Sequence, residues 1–147
     1  MQASEPPYRQ RVSFRWADID ANFHVRHSVY YDLSTQQRIQ VLAANGLTLR
    51  HMQEGGFAPV IFREECRFLR EIKLEDEVDM DVSIKVLSKD HRKFTFQQVF
   101  MRGEELCAVV QVEGAWFSSV ERKVAVPPQL VVDAMNAFPR AEEFAWI

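Results

Sequence analysis

Cysteine is scarce in this chain: Cys66 and Cys107 are the only two in 147 residues, and no C-x-x-C spacing occurs. That count supports neither a disulfide framework nor a cysteine-based zinc site, and leaves two reduced thiols that act as small apolar side chains. Long apolar runs are missing as well. The longest, residues 106–110, falls far short of the ~20 residues that a bilayer-spanning helix needs. The opening Met1-Gln2-Ala3-Ser4-Glu5-Pro6-Pro7 has neither the basic nor the apolar segment of a secretory signal, so a cytoplasmic location is expected. Positive charge is not in excess either. Against 18 Lys and Arg stand 21 Asp and Glu, a net charge of −3, which argues against a fold built around nucleic-acid phosphates.

What is present is the composition of an ordinary globular protein, 47% hydrophobic and 27% charged, at a length suited to one core. The expectation is a single domain over 1–147, with its core at about 8–120 and a helical extension at about 127–138. Alternation of Tyr8, Gln10, Val12, Phe14 and Trp16 with polar residues predicts a first strand. Residues 28–45 contain no Pro or Gly and predict one long helix, with Gly46 as its left-handed stop. Its apolar stripe is broken by Gln36-Gln37-Arg38, which obscures the buried face. Four strands follow a loop containing Gly55-Gly56: 59–69, 78–86 with the cleanest alternation, 92–101, and 106–117 after a short hairpin connection. Pro127-Pro128 opens a short helix that Pro139 ends. This order predicts an α+β fold, an antiparallel sheet laid on one central helix. The sheet's other face would meet a second subunit or the C-terminal helix.

Chemistry concentrates between the first strand and the long helix, where Asp18, Asp20, Asn22, His24 and His27 precede a helix N-terminus whose free N–H groups suit anionic oxygen. A carboxylate beside amide donors fits acyl transfer, the donors stabilising an oxyanion while the carboxylate attacks or activates water. The same Asp and Asn residues also suit plain turn capping. His24 and His27 lack a third ligand at a suitable spacing, so no metal is expected.

The run Asp18-Ile19-Asp20-Ala21-Asn22-Phe23-His24-Val25, followed by Tyr30 or Tyr31 and a long helix, resembles the motif of hot-dog-fold acyl-CoA thioesterases of the 4-hydroxybenzoyl-CoA thioesterase-like family. The resemblance extends through Pro59-Val60-Ile61 and Lys73-Leu74-Glu75-Asp76-Glu77 and covers roughly residues 8–120. It implies an antiparallel sheet wrapped around the central helix, with Asp20 as the catalytic carboxylate, either base or nucleophile. The backbone amide of His27 would polarise the thioester carbonyl, and Asn22 and His24 would order the loop or position water. It further implies a homodimer or homotetramer with the acyl pocket at the subunit interface, and CoA as part of the substrate, with no separate cofactor. Two residues depart from the pattern. Phe23 stands where such sequences often have glycine, and His27 where many have asparagine. Phe23 predicts either a rerouted loop or a ring lining the acyl site.

Lys89, Arg92 and Lys93 form a basic cluster suited to the phosphates of CoA, or alternatively a solvated turn. Glu64 is a further candidate base, with an ion pair to Arg63 or Arg67 as the plainer use of Glu64 and Glu65. Two other functions fit the same residues: an acyl-CoA or acyl-carrier binding protein without hydrolysis, and a dehydratase of 3-hydroxyacyl thioesters using His24 opposite Glu64. No membrane or nucleic-acid partner is expected.

Overall fold

The structure, a computed structural model, describes residues 6–147. In chain order it contains β1 (Gln10–Val12), a 3-10 turn (Trp16–Asp18), α1 (His27–Ala44), α2 (Leu49–Gly55), β2 (Phe57–Phe68) and β3 (Val78–Leu87). Then come β4 (Lys93–Arg102), β5 (Glu105–Ser118), β6 (Lys123–Val124), α3 (Gln129–Asn136) and β7 (Arg140–Trp146). Among the described residues the sheet has seven strands in the order β1-β3-β4-β5-β2, with β6 on β5 and β7 parallel on β3. No described helix is long and apolar enough to cross a membrane.

The alternation read in 78–86 is realised: Val78, Met80, Val82 and Ile84 are buried on one face of β3, and Phe94, Phe96 and Phe100 share that face from β4. Gly46 at φ +87 stops α1 as expected. The helix then crosses the sheet over two apolar clusters. Val29 and Tyr30 meet Val78, Met80, Phe100 and Val110 near its start, while Val41 and Leu42 meet Phe94, Phe96 and Trp116 near its end.

The polar interruption in the helix is a buried layer between those clusters. Gln37 Nε2 donates to the Met80 carbonyl at 2.9 Å, and Gln98 Nε2 donates to Gln37 Oε1 and to the Ser34 carbonyl, both at 2.8 Å. Arg38 donates to Gln98 Oε1 at 2.7 Å. Such a network fixes the register of helix on sheet because each of these groups would otherwise be buried without a partner.

Four expectations are corrected. The first strand is three residues long rather than nine, because Val12 pairs with Val78, the first residue of β3, and no strand partner remains for Ser13 to Trp16 among the described residues. Tyr8 sits at φ +64 and Trp16 is 74% exposed. The loop before Gly56 contains α2, whose N-terminus is capped by Thr48 accepting from the His51 N–H. Beyond Pro139 the chain continues as β7, whose pairing is with β3, distant in sequence. Finally, Val131, Ala134 and Met135 of α3 join the α1-side core, so the C-terminal helix does not cover the far face of the sheet. That face carries polar residues such as Ser83, Gln97 and Gln111.

Candidate active site

Residues 19–25 form a miniature hairpin. Ile19 bridges Val25, the Asp20 N–H donates to the His24 carbonyl at 2.8 Å, and the Phe23 N–H closes the turn on the Asp20 carbonyl at 3.0 Å. Phe23 occupies the left-handed region at φ +65, the place glycine takes in bulged turns of this kind. Glycine reaches this conformation without the strain that a Cβ brings. The Phe23 ring is 73% exposed and is not among the residues that line the cleft, so the expected acyl-site role is not realised in one copy of the chain.

The two aspartates do different work. Asp18 is buried; its carboxylate accepts from the Arg15 guanidinium at 2.8 Å and from the Arg15 N–H at 2.8 Å, and this pairing holds it below the usual carboxylate range despite burial. It fixes the loop to the preceding segment. Asp20 is half-buried and uses one oxygen, Oδ1, to accept from the Asn22 N–H at 2.9 Å and the His24 N–H at 3.2 Å. Its Oδ2 accepts no hydrogen bond among the described residues. Turn capping and a chemically available oxygen thus coexist in one carboxylate.

The hairpin docks by the Val25 N–H on the Ile72 carbonyl at 2.8 Å, and α1 starts two residues later. Arg26 precedes the helix without capping it through its side chain, which leaves the first N–H groups, those of His27 and its successor, facing outward. Asp20, His24, Val25, His27 and Tyr30 line a cleft of about 370 Å3 whose opposite wall is Phe68 to Glu71. Tyr30 is buried edge-on to Phe68 with ring centres 5.0 Å apart, and burial pushes its phenol up to about 12. The Glu71 carboxyl is held below the usual range, mainly by its own backbone N–H, with His24 adding a smaller favourable field.

Of the residues singled out in the sequence, Asp20, His24 and His27 come together. Asn22 is exposed and meets the cleft only through its backbone bond to Asp20. Glu64 lines a different cleft, beside Arg38, so His24 and Glu64 do not face one another within one copy. Glu65, not Glu64, is the partner of Arg63, at 2.8 Å. Lys89, Arg92 and Lys93 do gather, around a third cleft with Asp90, where Arg92 already pairs with Asp90 at 2.8 Å. They lie at the end of the sheet where β3 stops and β4 starts, whereas Asp20 lies near the other end, about 30 Å away for strands of this length. The far wall, Leu69 to Glu71, was not legible in the sequence, because tertiary contacts such as the Val25 N–H on the Ile72 carbonyl bring it to the hairpin. Among the described residues, no group of three or more His, Cys, Asp or Glu is placed to hold a metal ion. Both cysteines are free thiols, and burial pushes Cys66 up to about 12.

A family model described as the thioesterase-like superfamily matches residues 14–135. The chain belongs to that superfamily. A relative from Aquifex aeolicus (strain VF5), named provisionally as an esterase, is 23% identical over 129 residues, covering 88% of this chain and 96% of that one. Among solved structures, the 1,4-dihydroxy-2-naphthoyl-CoA thioesterase from Synechocystis superposes with a TM-score of 0.77 at 19% identity, covering 88% of this chain and 95% of that one. A hypothetical protein from Staphylococcus aureus, solved in complex with CoA, gives 0.79 at 14% identity, covering 96% and 92%. The fold is the hot-dog fold.

Proposed function

We propose that the protein hydrolyses the thioester of an acyl-CoA to the free acid and CoA, with the chemistry in the Asp20 cleft. The observation that carries this reading is that Asp20, whose Oδ2 accepts no hydrogen bond among the described residues, lines the same cleft as His27 at the N-terminus of α1. The thioester carbonyl oxygen would accept from the His27 N–H, which bears the positive end of the helix dipole. Asp20 would take a proton from water as that water adds to the carbonyl carbon. Collapse of the tetrahedral oxyanion breaks the C–S bond, and the thiolate of CoA leaves and takes up the proton. Direct attack by Asp20 through a mixed anhydride, then hydrolysed, gives the same products. His24 would orient the water beside Asp20. The superfamily match and the CoA-bound neighbour support a CoA thioester as substrate.

The separation of the basic cluster from Asp20 favours a dimer. β2 is an open edge with Ile61, Phe62 and Phe68 between 46% and 65% exposed. Pairing two β2 edges about a two-fold axis runs them antiparallel, which reverses the ends of the second sheet. Lys89, Arg92 and Lys93 of the second copy then come to the end that holds Asp20, where they would meet the phosphates of CoA.

CoA release from short, medium, long and aromatic acyl-CoAs, followed by chromatography, tests the reading. Release from at least one supports it. Tight binding without release across the panel supports the non-hydrolytic binder instead, and an enoyl product from a 3-hydroxyacyl-CoA supports the dehydratase.

A further inference from the structure

A second cleft, of about 190 Å3, lies between α1 and β2 and shares no lining residue with the Asp20 cleft. Its walls are apolar and aromatic, with Leu42, Phe94 and Trp116 among them, and its polar members are Thr35, Arg38 and Glu64. Arg38 is the unusual one. Its side chain belongs to a residue 8% exposed, and its two hydrogen bonds, to Gln98 Oε1 at 2.7 Å and Thr35 Oγ1 at 3.2 Å, go to neutral acceptors. Among the described residues it makes no ion pair, and Glu64, itself exposed, comes no closer than a through-space influence. A buried guanidinium without an anion in contact is costly. Burial lowers it to about 10, so at neutral pH it is still charged. On another wall, Trp116 is 1% exposed, and its indole N–H is buried with no hydrogen-bond partner among the described residues. Arg38 is therefore a donor with unused capacity on the wall of an aromatic cleft.

We propose that this cleft binds a carboxylate with a ring-sized apolar body, its oxygens accepting from Arg38 and its ring lying against Phe94 and Trp116. The volume suits that body, since a dry protein cavity of ~150 Å3 already holds a benzene ring. The proposal does not depend on thioester hydrolysis, and the test is one of binding alone.

The probes are 4-methylbenzoate and its neutral isostere 4-methylbenzamide, titrated calorimetrically into the full chain at neutral pH and moderate salt. The benzoate is expected to bind about tenfold or more tightly than the amide, the margin of a charge-assisted hydrogen bond. Arg38→Met should abolish the preference. Because Arg38 also holds Gln98, a second variant, Ile39→Trp, fills the cleft from the exposed side of α1 and leaves the buried layer intact. It should block both probes. Equal binding of the two probes, no binding of either, or retention of the benzoate by Ile39→Trp would overturn the proposal. So would dissociation of a wild-type dimer by Arg38→Met with no benzoate effect, which would assign the guanidinium to a contact between copies of the chain.

Discussion

Replacing Gln98 with leucine removes the centre of the buried layer while keeping an apolar side chain of similar length. Three bonds are lost: from Arg38 at 2.7 Å, to Gln37 Oε1 at 2.8 Å and to the Ser34 carbonyl at 2.8 Å. The Ser34 carbonyl retains its place in the helix ladder, so its loss is small. The Gln37 oxygen is left buried without a donor, at about 1–3 kcal/mol, and the Arg38 guanidinium loses a charge-assisted bond of about 1.5–3 kcal/mol. Greater burial of leucine carbon returns about 1 kcal/mol, leaving a net loss of about 1.5–5 kcal/mol. Urea unfolding at one fixed protein concentration measures it: with a slope of about 2 kcal/mol/M, the midpoint should fall by about 0.8–2.5 M. Gln111→Leu is the control, since Gln111 lies on the far face and makes a half-buried bond to Gln97 at 3.1 Å; it should cost under about 1 kcal/mol. If Gln98→Leu and Gln111→Leu are equally mild, the polar layer does not hold the helix, and the reasoning fails.

Phe23→Gly should stabilise the fold by about 0.5 kcal/mol, because relief of the left-handed strain slightly exceeds the added chain entropy of glycine and an exposed ring loses little burial; a lowered melting temperature would show that the ring is covered in the working assembly. Asp18 has its native carboxyl lowered by Arg15, so its contribution to stability is complete above the unfolded value near 3.8 and is lost as the pH falls through the native one. Asp18→Asn should therefore flatten the loss of stability below about pH 4 relative to wild type; parallel pH curves for the two proteins would contradict this. Phe62→Asp on the open β2 edge should weaken self-association at least about tenfold by sedimentation, and a monomeric wild type would remove the proposed interface.

Much of the fold was legible because its signals are local. The period-two run of β3 and the unbroken stretch of α1 with Gly46 behind it needed no tertiary information. The elements misread depend on partners. Ser13 to Trp16 alternate like a strand yet find no strand opposite them, and β7 exists through its parallel pairing with β3. Gln37 and Arg38 read as a break in the apolar stripe because only the fold places Gln98 opposite them. In the site, Asp20, His24 and His27 are close in sequence and could be grouped by eye, whereas Phe68 to Glu71 reach the cleft from more than forty residues away. The exposed Phe23 departs from the glycine pattern and occupies the left-handed region, at a cost of about 1–2 kcal/mol.

The central claim is that the free oxygen of Asp20 performs the chemistry at the N-terminus of α1. Steady-state hydrolysis of the best acyl-CoA by Asp20→Asn tests it directly, because the amide keeps an oxygen to accept from the Asn22 and His24 N–H groups and so preserves the hairpin. The expected result is a kcat lower by about 10²–10⁴-fold with KM little changed and an unaltered circular dichroism spectrum. A folded Asp20→Asn protein with kcat within a few-fold of wild type would contradict the claim and move the search for the carboxylate to Glu64.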